Sequence, residues 1–140
     1  MFFGEFNHQV DGKYRFRMPS AFRDRFNGNY AFRIDEENVV SIYPVETIRQ
    51  RAEKFLTASP FDRQVNKLAS AYLSSFYLTG EDERGRIVIP KEIRSRIELT
   101  GNVVIYAAPD HVEMTSEANY RATKLDLTPE QLLDQLHKYF

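Results

Sequence analysis

Cysteine is absent from the 140-residue chain. Its absence excludes disulfides, thiolate zinc sites and cysteine nucleophiles, and suits a reducing compartment. Long apolar runs are missing too. The longest, Val103 to Ala108, falls far short of the roughly 20 residues of a membrane helix. The opening residues, Met-Phe-Phe-Gly-Glu, have neither the basic start nor the apolar stretch of a secretory signal. A soluble, cytoplasmic protein with no membrane partner is expected. The six glycines are scattered and build no phosphate-binding loop. His8, His111 and His137 follow no metal-ligand spacing, so neither a metal nor a cofactor is expected. Asp110-His111 has no nucleophile motif beside it, and Glu36-Glu37 and Glu81-Asp82-Glu83 flank turns. The expectation is a protein that is not an enzyme and has no small-molecule substrate.

Net charge is also small, at −1, which by itself argues against general nucleic-acid binding. The average hides a segregation. Residues 97–140 hold three basic residues against seven acidic ones. Residues 11–25 carry Lys13, Arg15, Arg17, Arg23 and Arg25, and residues 82–96 carry Arg84, Arg86, Lys91, Arg94 and Arg96. Those two windows hold 10 of the 19 basic residues in 30 of the 140 positions, well above an even spread.

The two windows are copies of each other. A shift of 71 positions lays Asp11 on Asp82, Lys13 on Arg84, Arg15 on Arg86, Pro19 on Pro90 and Arg23 on Arg94. Phe16, Met18 and Phe22 fall on Ile87, Ile89 and Ile93, so apolar positions stay apolar. Two units of roughly 45 residues are too small to bury much surface alone, and two half-domains completing one core are expected. In each copy a strand leads to the Asp turn, a returning strand reaches Pro, a short helix follows, and a hairpin closes the unit. The hairpin of the first copy is Tyr30–Ile34 with Val39–Tyr43; that of the second is Val103–Ala107 with Val112–Thr115. Between the copies, helical patterns start at Pro44 and at Ser59-Pro60. Thr128 with Gln131 forms a capping box for a C-terminal helix. Packing on the chain itself or contact with a neighbouring subunit are both open for these helices.

The returning strand, Arg15 to Met18, alternates so that Lys13, Arg15 and Arg17 share one face, spanning roughly 13 Å, close to the width of a major groove, about 12 Å. Arginine offers parallel donors that match guanine O6 and N7 or a phosphate. One such triplet is commonly a solvated strand face. The recurrence of Lys13 and Arg15 as Arg84 and Arg86 in register points to binding. Asp11 and Asp82 serve as structural supports, accepting backbone N–H groups at the turn and steering the nearby guanidinium. Tyr14, Phe16, Phe22 and Phe26 read as core rather than as a base-stacking platform.

The segments at 1–23 and 80–94 resemble the two Asp-x-x-x-Arg repeats of the MraZ family, and the resemblance spans the whole chain. It implies an α+β fold in which tandem AbrB-like (SpoVT-AbrB) half-domains form a swapped-hairpin, double-split β-barrel with peripheral helices. The implied division is 5–47 and 76–119 for the repeats, 48–75 for a helical connector and 120–140 for a helical tail. The resemblance further implies a nucleoid-associated transcriptional regulator of the bacterial cell-division and cell-wall gene cluster. Such a protein binds repeated G-rich promoter boxes in double-stranded DNA as a ring-like homo-oligomer. DNA contact falls to Lys13 and Arg15, then Arg84 and Arg86, with Arg17 an extra cation that has no counterpart. An assembly protein using the same faces on an acidic partner is the alternative class. One departure stands out: Tyr14 occupies the place of Gly85, and a tyrosine is costly at positive φ. A differently shaped first turn is therefore expected.

Overall fold

A computed structural model describes residues 1–58 and 61–140. Its elements are β1 (Glu5–Val10), β2 (Arg15–Phe16), α1 (Ser20–Arg23), β3 (Asn29–Glu36), β4 (Val39–Pro44), α2 (Val45–Ala58) and α3 (Arg63–Ser74). There follow β5 (Tyr77–Gly80), β6 (Ile87–Val88), α4 (Lys91–Arg94), β7 (Gly101–Ala107), β8 (Val112–Ser116), α5 (Glu117–Thr123) and α6 (Pro129–Leu136). The fold is α+β: a large antiparallel sheet with several short helices.

The sheet order is β1-β7-β8-β4-β3-β5, with a separate two-stranded ribbon β2-β6. The first strand of each copy pairs with the hairpin of the other copy, β1 on β7 and β5 on β3. The two hairpins meet in the middle, where Val40 faces Met114 and Ile42 faces Val112. The sheet is open, with β1 and β5 at its edges, so no closed barrel forms among the described residues. The returning segment after β1 does not pair back on β1 as a hairpin would. Arg15–Phe16 pairs instead with Ile87–Val88, its own counterpart.

One core serves both copies. Phe16, Met18, Phe22 and Phe26 from the first are buried with Ile87, Ile89, Ile93 and Leu99 from the second. Rings of Phe2, Phe6 and Phe22 meet edge to face at 5.1–5.7 Å, a geometry that favours aromatic pairs. Pro19 and Pro90 stand directly before α1 and α4, and their carbonyls accept the first helical bonds. α1 lasts one turn and continues as a 3-10 turn over Asp24–Phe26.

α2 and α3 pack on each other and on β3–β4 through Ile48, Tyr72 and Phe76 around Tyr43. Two boundaries differ from the sequence reading. Pro44 closes β4, and α2 opens at Val45. Ser59 and Pro60 lie outside the described residues; the N-cap of α3 is Asp62, which accepts from the Gln64 and Val65 amides. At the C-terminal end the capping box forms as expected, with the Thr128 amide donating to Gln131 Oε1 at 2.9 Å and the Gln131 amide to Thr128 Oγ1 at 3.2 Å. No described helix is long and apolar enough to cross a membrane.

Candidate nucleic-acid interface

The Asp-x-x-x-Arg segments build two closely matched turns. In the first, Asp11 Oδ1 accepts the amides of Lys13 and Arg15, both at 2.9 Å, and Oδ2 accepts Arg15 Nε at 2.8 Å. In the second, Asp82 Oδ1 accepts from Arg84 and Arg86 at 2.8 and 2.9 Å, and Oδ2 accepts Arg86 Nε at 2.7 Å. Backbone bonds repeat as well: Tyr14 to Asp11 and Gly85 to Asp82, both 3.0 Å. Four donors are thus organised by one carboxylate and one carbonyl, which is why the spacing must be Asp, three residues, Arg.

Tyr14 therefore does not reshape the first turn. It takes φ 61°, against 74° at Gly85. Its carbonyl accepts the Ile89 amide at 2.9 Å, its ring packs against the core, and the Arg94 guanidinium lies 4.5 Å from the ring centroid. A cation over a tyrosine face is attractive. The counterpart of Arg94 is Arg23, whose guanidinium lies beside Gly85: a Cβ there would stand 3.1 Å from Nη2. With no ring to cover, Arg23 binds Glu81 through two bonds, at 3.0 and 2.8 Å.

A basic strand face spanning Lys13, Arg15 and Arg17 does not form. The Asp11 carboxylate takes the two amides that a ladder would use, Tyr14 is left-handed, and β2 shrinks to two residues. Basic residues are gathered by the ribbon instead. Arg15 faces Val88 across it, which sets the two turns side by side. Arg15, Arg17 and Arg86 line one depression, Arg15, Arg84 and Arg86 a second, and Arg17 and Arg84 a third beside Gly85. These contiguous hollows form one basic face. Lys13 is exposed on its turn.

The electrostatics divide this face into two kinds of cation. Arg15 and Arg86 are about three-quarters covered and each is paired with its Asp through the Nε edge. Neither has a hydrogen-bond partner on its Nη groups among the described residues. Lys13, Arg17 and Arg84 form no ion pair among those residues. Backbone donation from Arg86, followed by its side chain and the Arg84 amide, holds the Asp82 carboxyl down at about 2. Asp11 is lowered for the corresponding reasons, with the Arg15 amide foremost. Both aspartates stay ionised at neutral pH and keep their arginines in place.

Two participants escaped the sequence reading. His8 and Gln9 on β1 form a wall of the Arg15–Arg17–Arg86 depression. The signal was their position, directly before Val10 and the motif Asp. Among the described residues no group of three His, Asp or Glu side chains is arranged to hold a metal ion.

No protein-family model matches the chain. It is similar to a protein named transcriptional regulator MraZ in Pediococcus pentosaceus, 31% identical over 124 residues, or 88% of this chain and 86% of that protein. Proteins of the same name in Mycoplasmopsis pulmonis and Thermomicrobium roseum are 26% and 27% identical, covering 93% and 87% of this chain and 88% and 86% of theirs.

Proposed function

The chain belongs to the MraZ family of transcriptional regulators, and we propose that it regulates transcription by binding specific DNA through the basic face of its two motif turns. The observation that carries this reading is the gathering of Arg15, Arg17, Arg84 and Arg86 around one two-stranded ribbon. In it the motif arginines are fixed at Nε and open at their Nη groups. A guanidinium held in that way is pre-oriented to give its outer donors to guanine O6 and N7 or to a phosphate. Arg15 and Arg86 read or grip the duplex. Lys13, Arg84 and Arg17, which carry no internal counter-charge, neutralise phosphates. Asp11 and Asp82 support the geometry without touching DNA.

In this reading the repeats at 5–47 and 76–119 are the two half-domains, 48–75 is their connector and 120–140 a tail. One chain presents few contacts and binds weakly. A ring-like homo-oligomer presents the face many times, so repeated G-rich promoter boxes are held through effective concentration. The targets are the promoter boxes of a bacterial cell-division and cell-wall gene cluster, and the place of action is the nucleoid in the cytoplasm.

Arg15→Ala combined with Arg86→Ala is expected to abolish the gel shift of DNA from upstream of the protein's own gene, with oligomer size by light scattering unchanged. Wild-type affinity should fall steeply with salt as counterions are released, by about 0.9 in the log–log slope for each phosphate neutralised. Retained affinity in the double variant overturns the assignment of these arginines. Equal, weak binding to G-rich repeats and random duplex favours an assembly protein with an acidic partner.

A further inference from the structure

The basic face has an extension that the motif does not account for. The depression lined by Arg15, Arg17 and Arg86 is walled by His8 and Gln9, and the same two residues line a second hollow with Asn7, Asn102 and Glu117. Asn7, Gln9 and Asn102 are all exposed. Gln9 lies opposite Asn102 in the β1–β7 ladder, and its Nε2 donates to Asn102 Oδ1 at 3.1 Å. That bond uses one donor and one acceptor of the pair. It leaves Gln9 Oε1 as an acceptor and Asn102 Nδ2 as a donor, side by side on two strands. Glu117, the one carboxylate in the hollow, is ion-paired with Arg121.

We infer that the Gln9–Asn102 amide pair is a base-reading element that takes an adenine edge beside the guanine step gripped by the motif arginines. The inference rests on the DNA-binding reading above. Chemistry selects the base. Adenine shows an N6 donor next to an N7 acceptor in the major groove, which complements one free acceptor and one free donor; guanine shows two acceptors there and calls for two donors. Charge supports the division: the arginines supply the electrostatic grip together with the guanine contact, while uncharged amides add little affinity to the wrong sequence.

The second copy lacks this element. The corresponding ladder position sets Gly80 opposite Asn29, so no side chain completes the pair. Leu78 stands where Asn7 does, and Val88 where Arg17 does. The internal two-fold therefore holds for the grip and fails for the reading. The face reads adenine on one side only, which gives the contacted box a direction.

Selection of binders from a random-sequence duplex library tests this, with wild type, Gln9→Ala/Asn102→Ala and Gln9→Glu compared, and circular dichroism confirming the fold of each. Wild type should enrich an adenine flanking a guanine run on one side. The double alanine variant should lose that adenine, keep the guanines, and bind cognate duplex up to tenfold more weakly at an unchanged salt slope. Gln9→Glu, acceptor-only at this position, should trade adenine for cytosine, whose N4 is a donor. An unchanged consensus in the variants overturns the inference and leaves the arginine assignment standing. A wild-type library with no enriched sequence overturns both.

Discussion

Tyr14 and Gly85 pose the same backbone problem and solve it differently. Glycine meets a positive φ without strain, whereas a side chain there costs roughly 1–2 kcal/mol. In the first turn that cost is offset by burying the Tyr14 ring under Arg94. Tyr14→Ala keeps the strain and loses the ring, so it should destabilise the protein more than Tyr14→Gly, by about 1 kcal/mol, in urea denaturation. The aspartates make a separate prediction. Their carboxyls have folded pKa values below the unfolded ones, so their stabilisation is present above the ordinary value of 3.8 and is lost as pH falls through the folded value, about 2 for Asp82. A carbon-detected NMR titration should place the Asp82 midpoint at about 2, well below the ordinary 3.8. Asp82→Ala should release the Arg84 and Arg86 amides and, on the proposed reading, weaken the gel shift through the arginine alone. The backbone bonds of the two aspartates were legible from spacing alone, because one carboxylate can reach the amides two and four residues on. The accommodation of Tyr14 was not, because Arg94 arrives from a helix of the other copy.

At the scale of elements, α2 is tied to the sheet by a polar cluster. Arg51 on α2 pairs with Asp110 in the β7–β8 turn, and its guanidinium lies 5.2 Å from the centroid of the Tyr43 ring. His111 stacks on the same ring at 4.4 Å and bonds Asp110 at 2.9 Å and Glu113 at 3.0 Å. Burial favours the neutral imidazole, yet the bonds and charges of Glu113 and Asp110 outweigh it and raise His111 above its ordinary 6.5. A raised folded value means stabilisation that is complete below 6.5 and is lost as pH rises through the folded pKa. The His111 ring should titrate above 6.5 by proton NMR, and Glu113→Gln should bring the midpoint down. In sequence, Asp110-His111 stood out only as an acid–base look-alike at a turn; its partners on α2 and β4 come from elsewhere in the chain. The strands and hairpins were legible from alternation and turn residues. The length of β2 was not, since alternation over Lys13–Met18 is the same whether the amides serve a ladder or an aspartate.

For the whole molecule the decisive feature is cross-pairing. β1 has its ladder partner in the second copy, and β3 has its outer partner there as well. Neither copy can satisfy its strand edges or cover Phe16, Phe22, Ile87 and Ile93 alone. A chain ending at residue 58 should thus be disordered by circular dichroism, and should gain strand signal only when mixed with residues 61–140. The same arrangement builds the basic face. Cations 71 positions apart become neighbours because the ribbon β2–β6 joins the copies at their motifs. A net charge near zero is compatible with this, since cations are scarce beyond residue 97 and Arg15, Arg17, Arg84 and Arg86 gather around one ribbon.

The sequence alone determined the duplication, the Asp-to-Arg spacing, the apolar positions that become the core, and the kinship these carry, because each is local chemistry or a count along the chain. Tertiary structure alone decided that the sheet stays open, that each copy lends its first strand to the other, and that Gln9 and Asn102 come together beside the arginines. Those outcomes depend on which distant strands compete best for each free edge, and no window of neighbouring residues contains that competition.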